Sequence, residues 1–238
     1  MSAPTLTDID AVLTTTRAVR RRLDLDRPVS REVVVECLRL AQQAPMGSNL
    51  EHWRVVAVDS PEVKARIAAL YRQVWDETVA EPLASGEEAT TVRLSPTTRT
   101  DPVTAARQQR VLDSVKYLVD RLEHVPVLVV VCSVKPVPPE VVGGAASGYY
   151  GSVFPFVWSF QLALRSRGLG SVLATALAHK AREVAEVLGL PEGCLPLTLV
   201  PVAHTQGTDF RPAARGPIED VLAWNHWPPG TGGTEEAP

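Results

Sequence analysis

Apolar residues along this chain recur in two rhythms, one typical of strands and one typical of helices. The segment from Trp53 to Val58 alternates or runs apolar, which predicts a strand. Val127 to Val134 is a nearly unbroken valine-rich run, typical of a central strand that is covered on both faces. Leu197 to Ala203 predicts a further strand, although Pro201 limits its pairing. Because helical spacing lies between the strands, the pattern predicts an α+β fold in one domain.

Two helices are predicted ahead of the first strand. The first runs from about Thr7 to Arg21 and carries an apolar stripe. The second follows Ser30, a good N-cap residue, and its apolar positions keep helical spacing until Ala44, where Pro45 stops it.

A later segment, Ser152 to Leu164, is apolar almost all round and predicts a buried helix. Pro155 is expected in its first turn, where proline is tolerated, and Gly168 offers a C-cap. Such a helix is buried either in the core or between subunits, and the modest size of the domain favours the interface of a homodimer.

Two segments carry little apolar periodicity. Residues 79–104 are polar, rich in Thr, Glu and Ser, and interrupted by prolines and a glycine, which predicts an insert that is either a mobile lid or disordered. Gly230 to Pro238 predicts a flexible tail. Residues 1–229 are therefore expected to form a single domain.

The net charge of the 238-residue chain is only -3, which gives no general attraction to nucleic acid or to a membrane surface. Its three cysteines are scattered and set among apolar residues, so we expect buried free thiols in a reducing cytoplasm. Neither a signal peptide nor a run long enough to span a bilayer is apparent, and the histidines lack metal-ligand spacing. These features predict a cytoplasmic protein without a metal site.

Against this weakly charged background, four arginines stand close together at Arg17, Arg20, Arg21 and Arg22. If the first helix includes them, Arg17, Arg20 and Arg21 share one face. Three guanidiniums on one face suit a phosphate group, which they bind through paired, charge-assisted hydrogen bonds. A solvated run of charge is the alternative for these residues, and Arg22 falls outside the shared face.

A second candidate for ligand binding is the junction from Ala44 to Asn49, between a helix end and a strand start. Its backbone N–H groups and the polar side chains of Ser48 and Asn49 suit the edge of a heteroaromatic ring. Elsewhere, the run Gly168 to Ser171 follows a helix and lacks the third glycine of a dinucleotide-binding loop. Since the chain shows neither a Walker motif nor a nucleophile elbow, an enzyme of this sequence is expected to use a cofactor.

The order of these motifs resembles the FMN-dependent nitroreductase family. The motifs are the arginine run, then Ala-Pro-Met-Gly-Ser-Asn-x-x-x-Trp, then Gly-Leu-Gly-Ser and a late arginine, and they extend over residues 10–227. The resemblance implies a mixed central sheet flanked by helices and a homodimer with FMN at the subunit interface, where each site is built from both chains. Ser152 to Leu164 would be the central helix of that dimer.

The resemblance also assigns residues to the cofactor. Arg17 and Arg20 match basic positions that contact the phosphate and the flavin, with Arg21 as the alternative to Arg20. A guanidinium beside the ring would raise the flavin potential. Residues 174–176 would lie near flavin N5, where a backbone N–H donates. The expected cofactor-binding residues are Arg17, Ala18, Arg20, Arg21, Pro45, Met46, Gly47, Ser48, Asn49, Gly170, Ala174, Thr175, Ala176, Arg211 and Arg215.

Arg215, or Arg211 in its place, would complete the phosphate clamp with Arg17. Two departures from the family pattern matter. Glu51 and His52 stand where many members carry Gln-Pro, so Glu51 is expected to point away from the ring or to pair with His52. Ala18 replaces the acid of the members that fragment reduced flavin, which argues against that branch.

The resemblance thus implies an oxidoreductase that uses NADH or NADPH to reduce nitroaromatic, quinone or related conjugated acceptors by a ping-pong mechanism. A deiodinase-like activity, a non-enzymatic FMN-binding or sequestering protein, and an α/β protein without flavin are the alternatives. No side chain is expected to be catalytic, because the flavin supplies the chemistry. The candidates on the substrate side are Met46, Trp75, Tyr149 and Phe154.

Overall fold

The computed structural model describes residues 8–49, 51–86, 102–134 and 143–226, which fold around a five-stranded sheet. Its strands run in the order β1, β5, β3, β2, and β4 also pairs with β5. Every ladder between them is antiparallel, and a parallel bridge joins Ala18 to Ser171. The strands are β1 (Leu23–Asp24), β2 (Trp53–Val58), β3 (Val127–Ser133), β4 (Leu169–Ser171) and β5 (Pro196–Thr205).

Helices cover both faces of this sheet. The helices are α1 (Ile9–Thr15), α2 (Arg31–Ala41), α3 (Pro61–Trp75), α4 (Glu81–Ala84), α5 (Pro102–Val119), α6 (Gly144–Ser166) and α7 (Ala181–Leu188). A π-helical turn joins α3 to α4, and short 3-10 turns occupy Gly47–Asn49, Leu122–His124, Thr175–Lys180 and Ile218–Asp220. The predicted α+β class is therefore confirmed.

Strand β3 shows why the sheet is covered on both sides. All seven of its residues are buried. Its even-numbered residues pack with α3 in one core cluster and its odd-numbered residues pack with α6 in another, because successive side chains of a strand point to opposite faces. The prediction of a central strand buried on both faces is confirmed.

Several other predicted elements are confirmed close to their predicted bounds. Strand β2 spans Trp53–Val58 as expected, and α2 follows Ser30, whose hydroxyl oxygen accepts from the Val33 backbone N–H at 3.4 Å. Gly168 has a φ of 73° just after α6, in the left-handed region that favours glycine at a helix end. Pro201 pairs with Leu128 of β3.

The prediction that the first helix reaches Arg21 is wrong, because α1 ends at Thr15. Residues 14–16 are all threonine, and each hydroxyl donates to the carbonyl four residues earlier. Such β-branched, back-bonding residues are poor helix formers. The chain then pairs with β4, since Val19 N–H donates to Ser171 O at 2.9 Å. The arginines therefore do not share a helical face.

The bounds of α6 were also predicted incorrectly. The helix begins at Gly144 instead of Ser152, so Pro155 lies in its interior and not in its first turn. A proline removes one hydrogen bond from an interior turn, and a helix this deeply packed tolerates the loss because burial supplies most of its stability.

Both ends of the predicted insert at residues 79–104 are helical, contrary to the prediction. Asp76–Ala80 forms the π-helical turn, α4 follows directly, and α5 starts at Pro102. Pro82 and Pro102 both lie in the first turn of a helix, a position that tolerates proline. Residues 87–101 and the predicted tail at 230–238 lie outside the described residues. None of the described helices is long and apolar enough to cross a membrane.

Candidate functional site

Residues 16–22, called here the arginine segment, lie in extended and turn conformation along the edge of β4. Ala18 forms the parallel bridge with Ser171, and the side chain of Val19 is buried in the core. Arg17 and Arg21 are exposed, while Arg20 and Arg22 are half-buried. Because the backbone is not helical, each guanidinium reaches a different part of the surface.

Arg20 reaches inward, and Arg21 does not. The Arg20 guanidinium donates to Ser114 Oγ of α5 at 3.3 Å. Burial lowers the pKa of Arg20, and the nearby Tyr71 opposes this shift. Burial also raises the pKa of Tyr71. Arg21 lies only at the edge of α5, with its guanidinium 6.0 Å from the ring centre of Tyr117. Of the two predicted alternatives, Arg20 is the one built into the protein.

Arg22 has a structural explanation of its own. It donates to Gln206 O at 2.8 Å and to the carboxylate of Asp209 at 2.6 Å, and its guanidinium lies 4.2 Å from the ring centre of Phe210. These contacts attach the segment after β5 to the arginine segment. Arg22 is thus occupied with holding that segment.

Arg17 and the late arginines meet on the same side of the molecule. Arg17 Nη1 donates to Arg211 O at 3.3 Å, and Arg107 Nη2 donates to Ala214 O at 3.5 Å. Arg17, Arg211 and Arg215 are exposed or nearly so, and the described residues place no carboxylate within salt-bridge distance of them. Their positive charge is consequently available to an anion.

The loop after β4 offers backbone donors. Ala174 N–H donates to Leu199 O at 2.8 Å, which leaves Thr175 and Ala176 to supply the N–H that the resemblance places near flavin N5. Thr175 and Ala176 open a 3-10 turn, whose first N–H groups have no partner inside the turn. Gly170 is buried in β4, where a Cβ atom would lie 2.6 Å from Thr205 Cγ2. Packing therefore requires glycine at position 170. A contact between Gly170 and the cofactor stays a prediction.

The loop from Pro45 to Asn49 is held by α6. Gly47 N–H donates to Ser152 Oγ at 2.8 Å, and a Cβ on Gly47 would lie 3.0 Å from the same oxygen. Ser48 and Asn49 have φ values of 54° and 53°, a left-handed conformation that is uncommon for residues other than glycine. Backbone strain of this kind concentrates at functional sites.

Beyond this loop, Glu51 and His52 do not pair with each other. The Glu51 carboxylate lies 3.8 Å from Arg54 Nη1, and the His52 ring stacks on Tyr149 at 6.3 Å. The alternative in which Glu51 pairs with His52 is therefore wrong, and the alternative in which Glu51 points away from the flavin ring stays a prediction.

The two parts of the predicted site are attached to α6 at separate positions, one near its middle and the other at its C-terminal end. The loop at 45–49 is attached to Ser152, and the residue before the arginine segment, Thr15, is attached to Arg165. Thirteen residues of helix separate Ser152 from Arg165, or about 20 Å at about 1.5 Å per residue. The structure therefore brings together Arg17, Ala18, Arg20, residues 170–176 and Arg211, but not the 45–49 loop.

The four substrate-side candidates do not lie together either. Trp75 packs with the α3 core and borders an apolar cavity of about 130 Å³ between α3 and α5. Met46 and Tyr149 pack with the core on the opposite face of the sheet. Phe154 stacks on Tyr150, with ring centres 6.0 Å apart. Their role at a common site stays a prediction.

Sequence reasoning missed two buried polar residues of α6. Gln161 Nε2 donates to Ser171 Oγ at 3.2 Å, and Arg165 donates to Thr15 Oγ1 through both Nε and Nη2. The only signal in the sequence is that a glutamine and an arginine, four residues apart, interrupt an otherwise apolar helix.

The cysteines offer no activated nucleophile in this structure. Cys37 and Cys132 are buried and Cys194 is half-buried, all as free thiols. Burial raises the pKa of Cys37 to about 11 and that of Cys132 to about 12, so both remain protonated at neutral pH. Within the described ranges, no three His, Cys, Asp or Glu residues form a group that could hold a metal ion.

Comparison with solved structures shows the same fold in flavoproteins. Iodotyrosine deiodinase bound to FMN and 3-iodo-L-tyrosine superposes with a TM-score of 0.65 at 22% identity, with 92% of this chain and 100% of that one covered. The FMN and NADPH-dependent nitroreductase NfnB from Sphigopyxis sp. strain HMH gives a TM-score of 0.63 at 19% identity, with 92% and 100% covered. A BluB-like flavoprotein from Clostridium difficile 630 gives 0.64 at 15%, with 92% and 99% covered.

A search of curated proteins gave no match. A sequence profile described as the nitroreductase family matches residues 13–204, which include the arginine segment, the 45–49 loop and all five strands except the last residue of β5. That match extends over most of the chain and agrees with the fold. The chain therefore belongs to the nitroreductase family.

Proposed function

We propose that this chain is an FMN-dependent oxidoreductase that works as a homodimer, takes electrons from NADH or NADPH, and reduces nitroaromatic, quinone or related conjugated acceptors. The observation that carries the proposal is the set of exposed guanidiniums around Arg17 and Arg211, in a chain of this family. When bound, FMN would accept a hydride equivalent from the nicotinamide and pass it to an acceptor that occupies the same face in turn.

The residues present fit the phosphate end of FMN. A phosphate monoester carries nearly two negative charges, which guanidiniums bind through paired hydrogen bonds. Arg17 is tied by its own hydrogen bond to the backbone of Arg211, and Arg215 follows four residues later in the same segment. No carboxylate of the described residues lies within 4.0 Å of these guanidiniums, and the nearby Asp209 pairs with Arg22 instead.

The residues also fit the ring of FMN. Arg20 is half-buried and remains charged, because a guanidinium keeps its proton even when burial lowers its pKa. Beside the ring, this charge would stabilise the reduced cofactor and raise its potential. The free N–H groups of Thr175 and Ala176 would serve as donors to the ring edge.

The surface of α6 and the distance between the two parts of the site support a homodimer. Tyr150, Phe154, Trp158 and Leu162 recur every fourth residue and form an exposed or half-buried apolar stripe, in which Tyr150 and Trp158 are each 42% exposed. Two antiparallel copies of α6 packed along this stripe would bring the 45–49 loop of one chain to the arginine segment of the other. The roughly 20 Å between the two within one chain would then be bridged by the partner.

The test is spectroscopic and kinetic. The purified protein should be yellow, should release FMN on denaturation, and should be reduced by NADH or NADPH in stopped-flow measurements and reoxidised by a nitroarene or a quinone. Bound FMN with no steady-state nicotinamide oxidation would indicate a flavin-sequestering protein instead. Turnover of iodotyrosine in place of nitroarenes would indicate the deiodinase-like alternative, and a colourless protein without FMN affinity would contradict the proposal.

A further inference from the structure

Arg165 is the least expected charged residue in the core. It lies in the apolar helix α6 with only 5% of its surface exposed, and the described residues place no carboxylate within salt-bridge distance of it. Its Nη1 is buried and has no hydrogen-bond partner in the described part of the chain. Burying an unpaired cation costs folding free energy, and an apolar side chain at the same position would avoid that cost. Stability alone does not account for it.

The contacts of Arg165 join the two segments that carry the proposed phosphate ligands. Its Nε and Nη2 donate to Thr15 Oγ1 at 3.3 and 3.2 Å, next to the arginine segment. Nη2 also donates to Thr208 O at 3.0 Å, in the segment that leads to Arg211. One planar guanidinium thereby fixes both segments relative to α6.

An aromatic ring strengthens the same connection. Phe210 lies against two guanidiniums, with the Arg165 carbon 4.7 Å and the Arg22 carbon 4.2 Å from its ring centre. Arg22 comes from the arginine segment, Arg165 from α6 and Phe210 from the segment before Arg211. All three parts of the backbone therefore meet at this ring.

We propose that Arg165 is the positioning residue of the cofactor-phosphate clamp, holding Arg17 and the 211–215 segment at the spacing that a phosphate monoester requires. This inference rests on the proposed function. Arg165 does not touch the phosphate; it acts through the segments that do. Its removal should weaken recognition of the phosphate group and leave recognition of the flavin ring unchanged.

The test compares FMN with riboflavin, which lacks the phosphate, by fluorescence titration of the apoprotein. Arg165→Met should raise the dissociation constant of FMN about tenfold and change that of riboflavin less than about twofold, since hydrogen bonds from charged donors are being lost from the clamp. Arg165→Lys should not rescue FMN binding, because an ammonium cannot reproduce the guanidinium fork. Arg167→Met is the matched control, since Arg167 directly follows α6 but pairs with Glu36 of α2 and not with the clamp segments.

A second variant keeps the test informative if Arg165→Met does not fold. Thr15→Val removes the acceptor of two Arg165 hydrogen bonds with little change in shape, and should raise the FMN dissociation constant severalfold. The double variant should be no weaker than Arg165→Met alone, as expected for coupled partners. An unchanged ratio of FMN to riboflavin affinity in both single variants would overturn the positioning role. Wild-type protein that binds no FMN would instead overturn the proposed function, and this inference with it.

Discussion

The two ends of α6 support the candidate site in different ways. At its N-terminal half, Ser152 holds the 45–49 loop through one hydrogen bond from Gly47 N–H at 2.8 Å. At its C-terminal end, Arg165 makes three hydrogen bonds to two separate segments and packs on an aromatic ring. One end thus positions a strained loop with neutral groups, while the other positions cationic segments with a buried charge.

This difference matches the two halves of the proposed cofactor. Neutral backbone and hydroxyl groups suit the edge of a ring, whereas fixed guanidiniums suit a phosphate. Since the two attachment points are about 20 Å apart along the helix, we propose that the 45–49 loop and the arginine segment of one chain belong to different sites. The apolar stripe between them is the surface along which two chains would join.

The largest effect should follow from placing a charged side chain in the apolar stripe of α6. Trp158→Glu places a charge at the centre of the proposed interface, at a cost of about 3 kcal/mol or more, and should convert a dimer to a monomer that retains little FMN. Analytical ultracentrifugation and the flavin absorbance of the purified protein measure both consequences. Leu83→Glu, which alters an exposed leucine of α4, is the control and should leave the dimer intact. If the Trp158→Glu protein is still a dimer and still binds FMN, the proposal that two chains pack along the apolar stripe of α6 is contradicted.

A smaller effect should separate the arginines at the C-terminal end. Arg20→Ala should lower the flavin midpoint potential by about 30–60 mV, equivalent to about 1.4–2.8 kcal/mol for a two-electron couple, because a half-buried positive charge is removed. Arg21→Ala should change it little, since Arg21 is exposed. Equilibrium photoreduction against a reference dye gives both values. Equal potentials in the two variants and the wild type would exclude Arg20 from the vicinity of the ring.

The smallest effect should come from the N-terminal half. Ser152→Ala leaves Gly47 N–H without its acceptor, which costs about 1 kcal/mol and should weaken FMN and riboflavin binding alike by a few-fold. Ser166→Ala, at the other end of the same helix, is the control and should alter neither affinity. A Ser152→Ala protein that loses FMN affinity but keeps riboflavin affinity would show that this end contacts the phosphate, contrary to our assignment.

Local patterns in the sequence predicted most of the fold. The two-sided burial of β3 and the bounds of β2 follow from runs and alternation of apolar residues, and the start of α2 follows from its serine cap. The predicted helical face of the arginines failed because threonine back-bonding and pairing with Ser171 compete with the helix. That competition depends on β4, which lies far away in sequence.

The site was predictable only where a residue is exposed and its type is distinctive. Arg17 and Arg20 stand out as a charged run, and Gly47 within a polar junction. Arg165 could not be recognised, because its partners Thr15 and Thr208 are distant in sequence and a single arginine in an apolar helix has many explanations. Likewise, nothing local indicates that the Ala174 N–H is already paired with Leu199.

The central claim is that each cofactor site takes its arginines from one chain and its 45–49 loop from the other. A mixed dimer of Arg17→Ala and Gly47→Val chains, isolated with two affinity tags, tests it most directly. Each homodimer should bind FMN poorly, because the valine would collide with Ser152 in one and a phosphate ligand is missing in the other. The mixed dimer should bind one FMN per dimer with wild-type affinity, since one of its two sites receives only unaltered parts. A mixed dimer that binds FMN as poorly as both homodimers would place the whole site within one chain and contradict the account.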